Sequence, residues 1–359
     1  MATTTTSPGK SARLVSLDIL RGFDLFMLVF LQPILISAGG CCNEEWYQNL
    51  LWHFDHETWQ GFRAWDLVMP LFLFMTGAAM PFSFAKYHKG IPRTAAWRHI
   101  LWRVAVLWIL GMLVQGNLLL LDITRLLPYT NTLQAIAAGY LIGSILILYF
   151  SPRTQLYLTL ALLLLYSLPM SLCGDFSPTG NFAYKVDLAI LGDLRGDVTY
   201  TWIWSSLTFA VTVMMGSFAT RIIKHRHHAT TRLMTIGAAT IALGLLWNFE
   251  TPIIKRIWSG PMTIYSGGLC FILLGIAYYI IDVRKYSKGL NWLKIYGMNS
   301  ITAYILGEVV NFRSIPASLT FGLEPYIGCW YQTWLTTANY LIVMAILWYM
   351  YKAKIFVKI

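Results

Sequence analysis

Residues His53–Gly77 read HFDHETWQGFRAWDLVMPLFLFMTG. The first half of this stretch combines two histidines with the acidic residues Asp55, Glu57 and Asp66, and the second half is an unbroken apolar run. A charged, aromatic segment that leads directly into such a run is typical of a loop that enters a membrane-spanning helix. The stretch therefore predicts a membrane protein with titratable side chains at one membrane surface.

The composition extends this prediction to the whole chain. Of its 359 residues, 57% are hydrophobic and 12% are charged, and the mean hydropathy is +0.57. A helix needs about 20 residues to cross the ~30 Å hydrocarbon core of a bilayer. We predict an all-α fold, a polytopic transmembrane helix bundle of about ten spans with an aromatic-rich outer loop. The predicted spans cover residues 14–39, 66–87, 97–121, 132–150, 155–173, 200–223, 232–250, 263–282, 292–311 and 335–352.

The basic residues predict the orientation. With the N-terminus in the cytoplasm, most of the 27 Lys and Arg residues fall on the inner side, as the positive-inside rule requires. The net charge of +11 then reflects topology and contact with lipid head groups, and it gives no reason to expect nucleic acid as a partner. The basic residues on the outer side are Arg63, Arg125, Lys185, Arg195, Lys255, Arg256 and Arg313.

Three titratable residues lie inside the first predicted span. Asp18, Arg21 and Asp24 recur at three-residue steps and so share roughly one helix face. Two interpretations stay open. The side chains form a self-neutralised stripe that extends to the surface, or they mark an internal polar site.

The ninth predicted span has a polar face along its length. Ser300, Tyr304, Glu308 and Asn311 are spaced by four, four and three residues in GMNSITAYILGEVVNF. Such a stripe is costly against lipid, so we expect it to face the bundle interior or a water-filled cavity.

The cysteines favour disulfides over metal binding. Cys41, Cys42, Cys173 and Cys329 fall in or beside outer loops, where an oxidising compartment allows one or two disulfides. Their pairing is open at this point. The cysteines show no CxxC spacing, and we predict no metal site.

Topology divides the seven histidines. Five lie on the predicted inner side, and His53 and His56 lie outside. An imidazole titrates near neutral pH and can act as a base or a nucleophile, and a neighbouring carboxylate can define its tautomer. Asp66 is the first candidate for that carboxylate, with Asp55 and Glu57 as alternatives. Spacing alone does not distinguish a catalytic histidine from a surface one.

Four motifs together indicate a family. HETWQGFRAWDLVMPLFLFMTGAAM at 56–80 is preceded by RLVSLDILRGFDLFMLVFL at 13–31 and followed by IDV at 281–283 and GMNSITAYILGEV at 297–309. In this order they resemble the heparan-α-glucosaminide N-acetyltransferase family and its bacterial relatives, over nearly the whole chain. The most specific part is a set of spaced residues: His56, Trp59, Gly61, Asp66 and Pro70.

The resemblance implies an enzyme. In that family the histidine at the position of His56 is catalytic and faces the lumen or periplasm. Cytosolic acetyl-CoA is the co-substrate, and the amine of a terminal glucosamine, as in heparan sulfate, receives the acetyl group. The resemblance also implies a homodimer. It leaves open whether the histidine is itself acetylated or acts as a base in a ternary complex.

These considerations define the predicted domains and site. Residues 13–359 form the transmembrane acyltransferase domain, and residues 1–12 form a disordered cytoplasmic tail. The predicted catalytic residues are His56, Asp66 and Asp55. The predicted substrate-binding and CoA-binding residues are Asp18, Arg21, Gln32, Trp59, Gln134, Asn299, Ser300, Tyr304 and Glu308.

Two positions depart from the family pattern, and they leave the acceptor open. Gln32 followed by Pro33 stands where the family has asparagine, and Ala135 replaces an arginine. We predict a bacterial inner-membrane acetyltransferase that N-acetylates or O-acetylates a sugar or glycan in the periplasm, with both termini in the cytoplasm. The intramembrane charges keep an alternative open, a proton-coupled transporter or flippase of a sugar or glycan.

Overall fold

The computed structural model describes residues 14–89, 92–196, 199–225 and 227–357. The tail predicted over residues 1–12 lies outside the described residues. Within those ranges the chain folds into helices and forms no strand, which confirms the predicted all-α class. The helices of seven or more residues are α1 Val15–Ala38, α2 Glu45–His53, α3 Ala64–Tyr87, α4 Arg93–Gln115, α5 Thr132–Tyr149, α6 Pro152–Cys173, α7 Phe182–Leu191, α8 Ser206–His225, α9 Ala229–Trp247, α10 Gly260–Val283, α11 Asn291–Met298, α12 Ser300–Glu308, α13 Ser314–Thr320 and α14 Trp330–Lys352.

Nine helices in the described part of the chain are long and apolar enough to cross a membrane. They correspond to nine of the ten predicted spans, and they make the chain a multi-pass membrane protein. The spanning helices are α1, α3, α4, α5, α6, α8, α9, α10 and α14.

The span predicted over 292–311 is instead two short helices. α11 and α12 meet at Asn299, whose φ of −120° and ψ of 43° are not helical. The buried Asn299 amide donates to the Ile355 carbonyl (3.1 Å) and accepts from the Val357 amide (3.1 Å). The break is buried in protein, where non-helical backbone is tolerated at membrane depth, and the Asn299 side chain ties it to the C-terminal segment.

The sixth predicted span also starts later than expected, because residues 200–205 leave the helix. The Asp187 carboxylate on α7 accepts hydrogen bonds from the backbone amides of Trp202 (2.7 Å) and Ile203 (3.0 Å). These bonds replace helical ones, so α8 begins only at Ser206. Two residues of this non-helical segment, Tyr200 and Trp202, line the cavity that His56 also lines.

Helices α3 and α8 form the closest contact in the centre of the bundle. A Cβ atom on Gly77 would overlap the Val213 carbonyl, and one on Gly216 would overlap the Phe74 carbonyl. Small residues at these positions let the two backbones touch, as in other membrane helix pairs. α3, which begins next to His56, is therefore anchored on its inward face.

The outside of the bundle suits contact with lipid. The peripheral helix α6 exposes a run of leucines at steps of four residues. Without a lipid or protein neighbour this stripe would be costly in water. Its members are Leu156, Leu160, Leu164, Leu168 and Leu172.

Helix α1 changes its winding halfway along its length. Residues Met27–Leu31 form a wider π-helical turn, and Pro33 follows in the next α-helical segment, Gln32–Ala38. Such turns rotate the side chains that follow them and are frequent at functional sites. Here Leu28 and Gln32 both face a cavity beside His56.

One disulfide joins two loops at the His56 end. Cys41, after α1, is bonded to Cys329, before α14, with the two Cα atoms 5.6 Å apart. Cys42, Cys173 and Cys270 are free thiols. The structure thereby selects one pairing among those the sequence left open.

Candidate active site

The loop that bears His56 is held by contacts on both sides. The amide of Gly61, a residue with φ of +121° that favours glycine, donates to the Ile253 carbonyl (2.9 Å). The Trp59 indole donates to the Phe176 carbonyl (2.8 Å), and Arg63 pairs with Glu57 (3.0 Å). His56 is therefore positioned by a rigid loop at the start of α3.

Asp66 lies directly beneath His56 and is completely buried, with 0% of its side chain exposed. Its Oδ2 accepts hydrogen bonds from the backbone amides of Arg63 (3.0 Å) and Glu57 (3.3 Å), and its Oδ1 lies 2.9 Å from His56 Nδ1. Because an ionised carboxylate can only accept, Nδ1 bears the proton in this contact. His56 Nε2 is then left with the lone pair that a base or nucleophile requires.

Lys255 completes a three-residue cluster with His56 and Asp66. Its Nζ lies 3.3 Å from Asp66 Oδ1, 2.8 Å from His56 Nδ1 and 3.4 Å from His56 Nε2. Because one nitrogen is close to both ring nitrogens, it must stand over a face of the imidazole and not along either lone pair. Only 7% of the Lys255 side chain is exposed.

The loop between α9 and α10 keeps Lys255 in place. The Ser259 hydroxyl accepts from the Ile254 amide (3.1 Å) and donates to the Pro252 carbonyl (2.9 Å). Trp258 adopts a φ of +52°, is buried, and donates its indole N–H to Thr212 of α8 (3.2 Å). These hydrogen bonds within the loop and to α8 hold the amine where the distances above place it.

Burial sets the protonation of both bases. It lowers the pKa of His56 below its ordinary value, although the hydrogen bond that His56 donates to Asp66 raises this pKa, and the charge of Lys255 lowers it further. Burial also lowers the pKa of Lys255 to about 8, against the attraction of Asp66. At neutral pH the imidazole is therefore uncharged, and most of the lysine is charged.

His56 and Lys255 face a cavity of about 410 Å³. Its wall mixes aromatic rings with amides, hydroxyls and one further carboxylate, a composition typical of small-molecule sites. The other lining residues are Leu28, Gln32, Trp65, Val68, Met69, Phe72, Gln115, Thr130, Thr132, Tyr200, Trp202, Tyr304 and Glu308.

A second cavity of about 90 Å³ continues from the first toward the opposite face of the bundle. The two share Phe72, Thr132 and Tyr304 as wall residues. The second cavity is lined by the guanidinium-bearing residues Arg21 of α1 and Arg103 of α4. The two adjoining cavities thus extend from His56 to two arginines inside the bundle, where ionisable side chains usually mark a functional pathway.

The structure brings several predicted binding residues to these two cavities. Gln32 and Glu308 line the larger cavity, Arg21 and Ser300 line the smaller, and Tyr304 lines both. Three of the four members of the predicted polar face on 292–311 therefore line a cavity, one of the two environments expected for them.

Four predicted binding residues line neither cavity. Asp18 is buried where α1 crosses α11, and Asn299 binds the C-terminal segment. Trp59 is held by Phe176. The Gln134 Oε1 accepts from the amides of Thr130 (2.8 Å) and Asn131 (3.1 Å) and so caps α5.

The Asp55 carboxylate does not contact the imidazole ring of His56, as a catalytic partner of that ring would. Its Oδ1 accepts the backbone N–H of His56 (2.8 Å), its carboxylate lies 3.5 Å from Arg63, and 77% of its side chain is exposed. Glu57 is paired with Arg63. Of the three acidic residues considered, Asp66 alone contacts the imidazole ring in the described structure.

No family model matches the chain. Over 367 aligned residues the chain is 24% identical to heparan-alpha-glucosaminide N-acetyltransferase of Homo sapiens, covering 83% of this chain and 53% of that protein. The Mus musculus protein of the same name is also 24% identical, over 83% of this chain and 54% of its own length. The chain is a distant relative of these N-acetyltransferases. It spans about half the length of the curated relatives it matches.

Sequence reasoning missed two residues of this N-acetyltransferase relative. The sequence indicates Lys255 only as one of the basic residues of the outer loops, and it assigns Arg103 no role within the third predicted span. A signal for Arg103 was present, because an arginine in the middle of an apolar span is rarely without a function. Lys255 had no comparable signal, since its place beside His56 depends on two loops that are distant in sequence.

Within the described ranges, no group of three or more His, Cys, Asp or Glu side chains is arranged to hold a metal ion. That the protein needs no metal stays a prediction.

Proposed function

We propose that the protein is an acetyl-CoA-dependent acetyltransferase that passes an acetyl group across the bacterial inner membrane to a sugar amine in the periplasm. The proposal rests chiefly on one observation, the buried Asp66 held 2.9 Å from His56 at the mouth of a cavity that continues into the bundle. The distant relationship to N-acetyltransferases supports the same reaction class.

His56 performs the chemistry through Nε2. In one route Nε2 attacks the thioester carbonyl, so that the acetyl–sulfur bond breaks, an acetyl–nitrogen bond forms and the thiolate leaves. In the other route Nε2 removes a proton from the acceptor amine while that amine attacks the thioester. Both routes need the neutral imidazole that burial favours, and in both Asp66 stabilises the imidazolium that forms.

The smaller cavity suits the acyl donor. Arg21 and Arg103 supply two guanidinium groups at the end far from His56, and guanidinium groups bind phosphate oxygens well. A pantetheine arm that passes between Phe72, Thr132 and Tyr304 would present its thioester to the larger cavity. The donor therefore approaches from the side opposite His56.

The larger cavity suits an amino sugar as acceptor. Its volume of about 410 Å³ falls within the range of small-molecule sites, and Tyr200 and Trp202 provide aromatic surface for a sugar ring. The Glu308 carboxylate lines the same wall and would attract an ammonium group. An amine is thereby favoured over a neutral hydroxyl as the acetylated group.

The helix count supports an orientation with both ends of the chain in the cytoplasm. We count the broken pair α11–α12 as a tenth crossing beside the nine spanning helices of the described residues, and an even number of crossings returns the chain to the side on which it starts. The positive-inside distribution places His56 outside. A homodimer in the membrane completes the proposal, and the mass of the purified protein in detergent would test it.

Replacement of His56 tests the function directly. We expect His56→Ala to reduce transfer of labelled acetyl from acetyl-CoA to glucosamine by about 10²–10⁴-fold, the usual contribution of such a residue. His53→Ala is the matched control, because His53 ends α2, makes an edge-to-face contact with Trp52 and does not line the reaction cavity. Elution volume and thermal unfolding confirm that both variants are folded.

Full transfer by folded His56→Ala would contradict the proposal. The transporter alternative is favoured by the two adjoining cavities, which hold ionisable side chains inside the bundle, and it predicts a different result. Sugar uptake into liposomes that contain the protein but no CoA would support transport in place of acyl transfer.

A further inference from the structure

The Lys255 amine lies so close to the proposed site of acyl transfer that it should be open to acetylation itself. Its Nζ lies 3.4 Å from His56 Nε2, the atom that carries the acetyl group in the first route and that removes the proton of the acceptor amine beside the thioester in the second. A carbonyl carbon bonded to Nε2, or bound beside it, is thereby brought near Nζ, and reacting atoms in productive arrangements are about 3–3.5 Å apart. The mechanism proposed above gives the amine no role as a nucleophile.

The direction of approach also suits reaction. An acetyl group on an imidazole nitrogen is conjugated with the ring and lies close to its plane. A nucleophile must then reach the carbonyl carbon from above that plane. The distances to both ring nitrogens already place Nζ over one face of the imidazole.

We propose that Lys255 is a self-acetylation site, which takes the acetyl group held at His56 when an acyl thioester is present and the acceptor amine is absent. The inference rests on the proposed function. The neutral amine attacks the carbonyl carbon and a Nζ–carbon bond forms. The carbon–Nε2 bond breaks in the acetyl-histidine route, or the carbon–sulfur bond in the direct route. The amine proton passes to Nε2 or to the thiolate, and the products are acetyl-lysine and the free thiol.

The charges around Lys255 make this reaction slower than transfer to an acceptor. Asp66 at 3.3 Å stabilises the ammonium form, while burial and the neighbouring Arg256 favour the neutral amine. With the pKa lowered to about 8, on the order of one-tenth of the lysine is neutral at pH 7. A small reactive fraction predicts slow modification that rises with pH.

Acetylation would inactivate the site. The amide bears no charge, so the ion pair with Asp66 is lost, and the added acetyl group occupies the cavity that Lys255 lines. The enzyme would therefore lose activity with time whenever it holds an acyl thioester without an acceptor.

Peptide mass spectrometry tests the proposal. The purified full-length protein is incubated with deuterated acetyl-CoA, with and without glucosamine, and then digested. We expect one labelled acetyl on Lys255 that grows with time, grows faster above pH 8 than at pH 7, and is suppressed by glucosamine. Lys185, a lysine on the same predicted face, measures the chemical background.

A second variant links the modification to inactivation. Lys255→Arg keeps a cation beside Asp66 but offers no amine that forms a stable acetyl product. We expect wild-type activity to decline during preincubation with acetyl-CoA, whereas Lys255→Arg keeps its own starting activity. The comparison is made within each protein, so a lower initial rate in the variant does not matter.

Two results would overturn the inference. If glucosamine is acetylated while Lys255 stays unlabelled, the self-acetylation inference is wrong and the proposed function stands. Labelling of Lys255 no greater than that of Lys185 would show ordinary chemical acetylation. If no acetyl group reaches either the acceptor or Lys255, the proposed function itself fails.

Discussion

At the scale of single residues, the site depends on opposing effects upon one imidazole. The Asp66 carboxylate favours the protonated form of His56, whereas burial and Lys255 favour the neutral form, and burial has the largest effect. A plain surface histidine would be partly charged near its ordinary pKa. The surroundings of His56 thus keep its imidazole neutral at a lower pH than that at which a surface histidine becomes charged.

The pH dependence of transfer follows from this balance. Because the pKa of His56 is lowered, activity should be lost only as pH falls through a value below 6.5. Lys255→Met removes a positive charge beside the ring, so the pKa of His56 should rise and the acid limb of kcat/KM should move to higher pH. The measurement is kcat/KM for acetyl transfer between about pH 5 and pH 9.

Lys185→Met is the control for this prediction, since it also removes an outer-face lysine but lies away from His56. Its acid limb should coincide with that of the wild type. An acid limb of Lys255→Met at or below the wild-type position would show that Lys255 does not act on His56.

At the scale of helices, α3 links the site to the centre of the bundle. Asp66 lies in its first turn, and Gly77 lies where α3 touches α8. Any change that separates α3 from α8 therefore displaces Asp66 from beneath His56. Loss of the contact between α3 and α8 would therefore lower both the stability of the fold and the activity at His56.

Two glycines near Val213 allow the effect of a backbone contact to be compared with that of a side-chain contact. A Cβ on Gly77 would overlap the Val213 carbonyl, whereas one on Gly143 of α5 would lie 3.2 Å from the Val213 Cγ1. We expect Gly77→Ala to destabilise the fold by more than about 2 kcal/mol, because backbone cannot shift as a side chain can. Gly143→Ala should be near neutral, since alanine favours a helix by up to about 1 kcal/mol over glycine.

Thermal unfolding of the purified variants in one detergent measures the difference. Equal unfolding temperatures for Gly77→Ala and Gly143→Ala would contradict the close contact of α3 with α8.

At the scale of the whole molecule, the two cavities bring together residues from both ends of the chain. Arg21 of α1, Arg103 of α4 and Ser300 of α12 line the smaller cavity, and Phe72, Thr132 and Tyr304 separate it from the larger one. This arrangement suits the proposed enzyme, whose donor and acceptor would lie on opposite sides of a membrane.

Closing the shared wall tests whether the path is used. Thr132→Trp fills the passage with an indole, so transfer from acetyl-CoA should fall by more than about 100-fold if the thioester is kept from His56. Thr132→Val, which keeps the side-chain shape, should retain most of the activity. Unchanged transfer by folded Thr132→Trp would exclude this route for the donor.

Much of this arrangement is predictable from the sequence because it depends on local patterns. Apolar runs of spanning length identified nine helices, and the motif around His56 placed Asp66 only ten residues away, at the start of α3. The polar steps from Ser300 to Glu308 correctly indicated an interior face. Hydropathy did not reveal the break at Asn299, because the bonds that stabilise it come from the segment near Ile355.

The sequence by itself determined that this is a helical membrane protein with His56 and Asp66 at one surface, since hydrophobic length and residue spacing are properties of adjacent residues. The tertiary structure alone decided that Lys255, 199 residues from His56, lies over its ring, and that Cys41 pairs with Cys329, 288 residues away. Such contacts depend on how helices pack and where loops meet, and no local pattern in the chain specifies them.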